Sequence, residues 1–302
     1  MKKKILVVIV GPTAVGKTAV AIELAEKWKT NIISADSRQI FKELEIGTAK
    51  PTLAELNRVE HHFINIKSIE EEYDAGKFGE EARIKIDELF EKLDVLILCG
   101  GSGLYIKSLL EGFDEMPEIP SGMREAIIEE YQQKGLGWLQ KELQQLDEEY
   151  FDQIDKQNPH RLIRGIEINR ASGKNVNEFR IKLKRELPFE VIRVGLELPK
   201  EELYQRIDNR MDAMIANGLF EEAKRFYLKK ELNALQTVGY QEIFGYLDGE
   251  YDREEAIRLL KRNSRHYAKR QLTWFKKDKE IKWMQPAGAL QLLNSKFLNF
   301  EF

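Results

Sequence analysis

An α/β fold built on a parallel sheet, interrupted by a helical insertion, is what this 302-residue sequence predicts, and three observations predict it. Six apolar residues, Ile5 to Val10, run straight into Gly11-Pro12-Thr13-Ala14-Val15-Gly16-Lys17-Thr18, after which Ala19, Ile22, Ala25 and Trp28 recur at spacings of three. A second apolar run, Val95 to Cys99, has the continuous character of a strand buried on both faces. Two glycine-and-proline boundaries between Gly112 and Pro120 open a stretch that reads as helical as far as Gly173, and a strand pattern resumes only at Val191. This order divides the chain into residues 1–115, a first part of the catalytic core, 116–188, an inserted helical domain, and 189–302, the second part of the core with C-terminal helices.

The first element carries the pattern G-x-x-x-x-G-K-[ST] at Gly11, Gly16, Lys17 and Thr18, in the strand–loop–helix context that makes it a phosphate cradle. The core it predicts is therefore P-loop NTPase-like. The glycines let backbone N–H groups turn inward around an anion, and the helix N-terminus adds partial positive charge. Lys17 supplies a point charge, and the Thr18 hydroxyl can hold a magnesium ion. A net charge of −3 gives the whole molecule no pull toward nucleic acid or membrane, and a single cysteine, Cys99, excludes an intrachain disulfide and fits a reducing cytoplasm. Lys2 to Lys4 before an apolar run resemble the start of a signal peptide. The run ends after six residues in the phosphate loop, however, and so reads as a buried strand; no segment approaches membrane-spanning length.

Asn31–Ile33 reads as a second strand, ending in Ser34-Ala35-Asp36-Ser37-Arg38-Gln39. An acid at the carboxyl end of a parallel strand faces the ligand crevice, which makes Asp36 the candidate catalytic carboxylate; a helix cap or turn uses the same residue types. Ile46-Gly47-Thr48-Ala49-Lys50-Pro51 fits an ordered loop or a plain surface turn. His61 and His62 are adjacent, hence on opposite sides of a strand and poorly placed to share a metal. Phe78 to Leu93 is a helix by its spacing. The Val95 run ends in Gly100-Gly101-Ser102-Gly103-Leu104-Tyr105, where an ATPase or GTPase would carry an aspartate for magnesium and water. Two glycines there let backbone approach a ligand, and Ser102 can hydrogen-bond it.

In the inserted segment the best helix is His160 to Ala171, with Arg161 and Arg164 on one face. Past a strand from Val191 to Leu198, Arg206 and Arg210 are i, i+4 neighbours that could clamp a phosphate or pair with nearby acids. Thr237 to Glu242 is a tight turn entering a helix. In the long helix Glu254 to Lys277, Arg258, Arg262, Arg265 and Lys269 form one stripe. Leu260, Tyr267 and Trp274 form another, so that one face packs and the other is a basic ridge suited to an RNA backbone.

Taken together and in order, GPTAVGKT, DSRQIF, IGTAKP, HHFINI, GGSGLY, NPHRLIRGIE, TVGYQE and AKRQLTWF resemble the bacterial tRNA dimethylallyltransferases (tRNA isopentenyltransferases), over nearly the whole chain from Gly11 to Phe275. The resemblance implies a phosphate-loop core related to nucleotide kinases. It also implies transfer of a dimethylallyl group from dimethylallyl diphosphate to N6 of the adenosine 3′ to the anticodon, in a cytoplasmic, monomeric, magnesium-using enzyme. By the same resemblance Gly11 to Thr18 bind the diphosphate, with Thr13 to Thr18 touching it directly; the spacing of Arg206 and Arg210 adds them to the diphosphate site. Asp36 is the general base. Asp36, Ser37, Arg38 and Gln39 line the tRNA site with Ser102, Arg124, His160, Arg161, Leu162, Ile163 and Arg164, and Lys17 and Ser102 join Asp36 as catalytic groups. Ser102 stands where the family usually has threonine, His160 where it has glutamine, Phe41 for a common tyrosine and Val15 for a small residue.

The chemistry agrees with this resemblance. Adenine's exocyclic amine is a poor nucleophile that a carboxylate assists, and a loop of N–H donors with a lysine stabilises departing diphosphate. A transfer to RNA also needs no hydrolytic water, in keeping with the missing acid after Cys99. An ATP-dependent small-molecule kinase would use the loop, Asp36 and the Arg206/Arg210 pair, but not the insertion or the basic helix. A non-catalytic RNA-binding protein would have no use for an intact Lys17, Thr18 and Asp36.

Overall fold

A computed structural model describes residues 3–180 and 186–297. The strands β1 (Ile5–Val10), β2 (Ile32–Ala35), β3 (His61–His62), β4 (Val95–Gly100), β5 (Glu190–Leu196) and β6 (Lys282–Met284) form one parallel sheet in the order β3-β2-β4-β1-β5-β6. β1 is central. Leu6, Val8 and Val10 enter one core and Ile5, Val7 and Ile9 the other, so both faces are covered and the run is apolar throughout.

One face packs against α3 (Ala75–Phe90) and α4 (Gly103–Glu111), the other against α1 (Lys17–Trp28), α10 (Lys200–Ala216) and α14 (Pro286–Lys296). The short α2 (Leu53–Arg58), α11 (Leu219–Arg225) and α12 (Gln241–Leu247) and the long α13 (Arg253–Phe275) complete this unit, made of residues 1–110 and 186–302. Element ends differ from the periodicity readings by one to three residues. The second strand is Ile32–Ala35 rather than Asn31–Ile33, and the third long helix starts at Ala75, where the Asp74 carboxylate caps the Lys77 N–H. Among the described residues no helix is long and apolar enough to cross a membrane.

Residues 111–185 form the second unit, with α5 (Met123–Lys134), α6 (Leu136–Leu146), α7 (Glu148–Gln153), α8 (Pro159–Ser172) and α9 (Val176–Phe179). Ile127, Leu139, Leu143, Leu162 and Ile166 are its fully buried centre. Buried Asp147 accepts the N–H groups of Tyr150 and Val176, at 3.0 and 2.7 Å, and so caps α7 while holding the start of α9. Buried Glu167 takes Arg124 at 2.7 Å and Arg164 at 3.3 Å.

Candidate active site

The carboxyl ends of β1, β2 and β4 open on a cavity of about 370 Å³. Its polar wall includes Thr13, Lys17, Asp36, Arg210, Tyr267 and Gln271, and its apolar wall Ile64, Met211, Met214 and Val238. All of these belong to the sheet-bearing unit.

The phosphate loop owes its shape to Gly16, whose φ of 102° is left-handed and which caps α1. Lys17 lies behind the loop and donates to the carbonyls of Gly11 (3.0 Å) and Pro12 (2.8 Å). Burial pulls its ammonium down to about 8, against the opposing pull of the Cys99 thiol and the Asp36 carboxylate, with Arg210 adding to the fall. The same burial pushes the Cys99 thiol up to about 11, which leaves it inert. Thr18 lines the cavity; the side chain of Val15 is in the core, so only its backbone can meet a ligand.

Asp36 follows directly on β2 and lines the cavity, as an acid at a strand end should. One oxygen, Oδ1, also accepts the N–H groups of Arg38 (2.9 Å) and Gln39 (3.3 Å), so the turn aspartate and the cavity carboxylate are the same residue. Arg38 is anchored on the carbonyls of Asn233 and Gln236, and Gln39 donates to those of Thr48 and Ala49. That second tie shows that Ile46–Pro51 is an ordered wall and not a plain turn. The Glu222 carboxylate accepts the N–H groups of Glu45, Ile46 and Gly47 and the hydroxyl of Tyr240, while Lys50 donates to the Phe41 and Lys42 carbonyls.

Several sequence expectations need correction. Gly100, the last residue of β4, lines the cavity, but it and Gly101 also make room for the protein's own atoms. A Cβ on Gly100 would lie 2.1 Å from the Ala35 carbonyl oxygen, and one on Gly101 would lie 2.3 Å from Gln271 Nε2. The Ser102 hydroxyl does not line the cavity: its Oγ accepts the Ser37 N–H at 2.9 Å and donates to the Ser37 hydroxyl, holding the turn that carries Asp36. Arg206 and Arg210 part company. Arg210 lines the cavity and donates to the Thr13 hydroxyl at 3.3 Å; Arg206 lies beside Gly16 but is exposed and paired with Glu202 at 2.9 Å.

On α13 two of the four residues of the basic stripe are matched by acids. Arg258 pairs with Glu255 and Arg265 with Asp208, and next to the stripe Lys261 pairs with Asp212, the last two acids lying on α10. The packing face is Ala256, Leu260, Ser264, Ala268, Gln271 and Phe275, while Trp274 is 37% exposed. In the helical unit His160 and Arg161 are exposed, whereas the side chains of Leu162 and Ile163 are core and out of reach of any partner. Arg124 and Arg164 spend part of their donor capacity on Glu167.

Among the cavity-lining residues that the sequence did not mark as site residues are Tyr267 and Gln271. Tyr267 was assigned to packing, and Gln271 was passed over. The signal for Gln271 was available: it is a polar side chain on the apolar stripe of an amphipathic helix, where an amide must find partners.

Comparison with known proteins gives a consistent result. The model of the IPP transferase family matches residues 39–278. The tRNA dimethylallyltransferase of Cytophaga hutchinsonii is 54% identical over 96% of this chain and 95% of its own length, and tRNA dimethylallyltransferase 1 of Bacteroides fragilis is 43% identical over 97% and 98%. Among solved structures, the full-length tRNA isopentenylpyrophosphate transferase of Bacillus halodurans superposes with a TM-score of 0.72 at 34% identity, covering 99% of this chain and 96% of that one. A eukaryotic dimethylallyltransferase captured acting on tRNA superposes with a TM-score of 0.78 at 25% identity, covering 98% and 79%.

Proposed function

The chain belongs to the IPP transferase family and is a prenyltransferase acting on tRNA; from that premise we propose that the cavity takes dimethylallyl diphosphate and passes its dimethylallyl group to N6 of the adenosine 3′ to the anticodon. The observation that carries this reading is the meeting of an anion cradle, the strand-end carboxylate of Asp36 and an apolar wall in a single cavity. The diphosphate lies against the loop from Thr13 to Thr18, with Arg210 across from it, and Met211, Met214 and Val238 give the five-carbon group an apolar surface. As the allylic C1–O bond breaks, negative charge builds on the diphosphate, and Lys17, Arg210 and the inward N–H groups hold it. Asp36 accepts the proton that N6 loses as the new C–N bond forms. The target base must leave the anticodon-loop stack to reach Asp36, a distortion of about a few kcal/mol, and Arg38 and Gln39 border its place.

Enzymes of this kind generally use a divalent metal. Among the described residues no cluster of three or more acidic, histidine or cysteine side chains could cage one. That fits magnesium, which is usually held by one or two protein oxygens together with substrate phosphates. The Thr18 hydroxyl is the protein ligand we assign to it; when bound, the ion supplies charge for the leaving diphosphate. The helical unit, through His160, Arg161 and the exposed parts of Arg124 and Arg164, grips the tRNA. The protein acts as a monomer in the cytoplasm. A small-molecule kinase, the rival reading of the loop, is not favoured, since the relatives over nearly the full chain are dimethylallyltransferases. The test is incubation with radiolabelled dimethylallyl diphosphate and bulk tRNA. Magnesium-dependent label in RNA is the expected outcome; ATP turnover at a kinase rate with no labelled RNA overturns the proposal.

A further inference from the structure

Gln271 sits on the buried face of α13 and is 7% exposed. Its side-chain oxygen accepts the Thr13 N–H at 2.8 Å, and its side-chain nitrogen donates to the Gly101 carbonyl at 3.0 Å. Both hydrogen-bonding ends of the amide are therefore engaged, one in the phosphate loop and the other in the loop after β4. The next residue along that second loop, Ser102, accepts the N–H of Ser37, the neighbour of Asp36. A continuous path thus runs from Thr13 through Gln271, Gly101, Ser102 and Ser37 to Asp36. Position 101 is open for this purpose: a Cβ there would lie 2.3 Å from Gln271 Nε2 and 3.7 Å from Lys17 Nζ.

From this we infer that Gln271 is a positioning residue that sets the spacing between the cradle for the leaving group and the turn that carries the proton acceptor. It touches neither the reacting carbon nor the amine. It acts through Thr13 on one side and Asp36 on the other, and the Thr13 N–H it occupies is withheld from the diphosphate. In a transfer between two substrates, the distance from the departing oxygen to the attacking nitrogen decides the rate, and displacements of about 1 Å lower it by up to roughly 100-fold. The inference rests on the reading of Asp36 as the base.

The test is a double-mutant cycle of Gln271→Met, which keeps the length of the side chain and removes both bonds, with Asp36→Asn. Single-turnover rates, KM for both substrates and melting temperature are measured for each variant. Gln271→Met is expected to lower the rate about 10- to 100-fold, with KM for dimethylallyl diphosphate and for tRNA within about threefold. In the Asp36→Asn background the same change is expected to lose most of its effect, because there is no base left to misplace. A near-normal rate in Gln271→Met, with Asp36→Asn slow, overturns the inference and leaves the base in place; so does full additivity of the two changes. A near-normal rate in Asp36→Asn removes the base, and the inference with it. If Gln271→Met does not fold, Gly101→Ala puts the question with Gln271 still present, since its Cβ pushes the amide off the carbonyl. The same rate loss supports the inference, and an unchanged rate overturns it.

Discussion

Glu167 in the helical unit and Glu222 and Glu242 in the sheet-bearing unit are buried acids held in different ways. Glu167, in the helical unit, lies between the guanidinium groups of Arg124 and Arg164, and nearby Arg170 bridges Glu130 and Glu142. In the sheet-bearing unit Glu222 is held by three backbone N–H groups and the Tyr240 hydroxyl, and Glu242 by the Gly239 N–H and the Asn263 amide. The first arrangement satisfies a buried acid with cations, although the same unit also holds buried Asp147 by two backbone N–H groups. The second satisfies its acids with backbone and neutral side chains, so that Lys17 and Arg210 keep their charge for whatever enters the cavity. An anion site needs cations that no internal acid has already neutralised, and the buried Glu222 and Glu242 draw on none.

The comparison can be broken most severely at Asp36, the acid in the cavity wall. Asp36→Asn keeps an oxygen for the Arg38 and Gln39 N–H groups but cannot take a proton, so kcat is expected to fall about 10²- to 10⁴-fold with affinities nearly unchanged. Single-turnover rates across a magnesium titration check this, since rescue by excess magnesium would instead mark Asp36 as a metal ligand. Next in size, Glu222→Ala leaves three part-buried N–H groups and a buried hydroxyl unpaired and is expected to lower stability by about 3 kcal/mol. Glu167→Ala frees two half-exposed arginines to reach water and is expected to lose only about 1 kcal/mol. Urea unfolding of both variants measures the contrast directly, and equal losses would erase it.

The pH dependence is smaller again. Lys17 is charged in the free enzyme below about 8 and neutral above it. A diphosphate binds the charged form, so kcat/KM for the allylic donor is expected to hold level up to that pH and then fall by about tenfold per pH unit. Lys17→Arg, which stays charged, is expected to extend the level range, whereas a flat wild-type profile to pH 9 would remove the effect. The smallest change is expected at the surface. Arg161→Ala should lower the slope of log K against log salt for tRNA binding by about 0.7 to 0.9, with donor KM untouched; filter binding across a salt series reads it.

Local features of the fold were legible because they are written in short-range patterns. β1, the phosphate loop, β4 and the principal helices follow from apolar runs and spacing, and the position of Asp36 follows from its place after a parallel strand. What could not be read depends on partners distant in the chain. Arg265 in the stripe Arg258–Lys269 looked free because the acid that matches it, Asp208, belongs to another helix. Ser102 was recognisable as a hydroxyl beside the site, yet its partner Ser37 is 65 residues away. Leu162 and Ile163 were carried along by neighbours in a motif, although their apolar side chains already indicated the core.

The bond between Gln271 and the Thr13 N–H also has a consequence for how the molecule comes into being. Its two ends are 258 residues apart, and β1 waits for β5 to take its place beside it. At about 10 residues per second, a ribosome finishes the phosphate loop some tens of seconds before it makes the residue that locks that loop. Nascent chains therefore display the most recognisable motif of the protein long before they have a site, with a buried-type strand still lacking one neighbour. A chain cut short before α13 is expected to carry the signature without the activity. Selection acting on α13 therefore acts on the first loop, and these two distant parts of the chain are under one constraint.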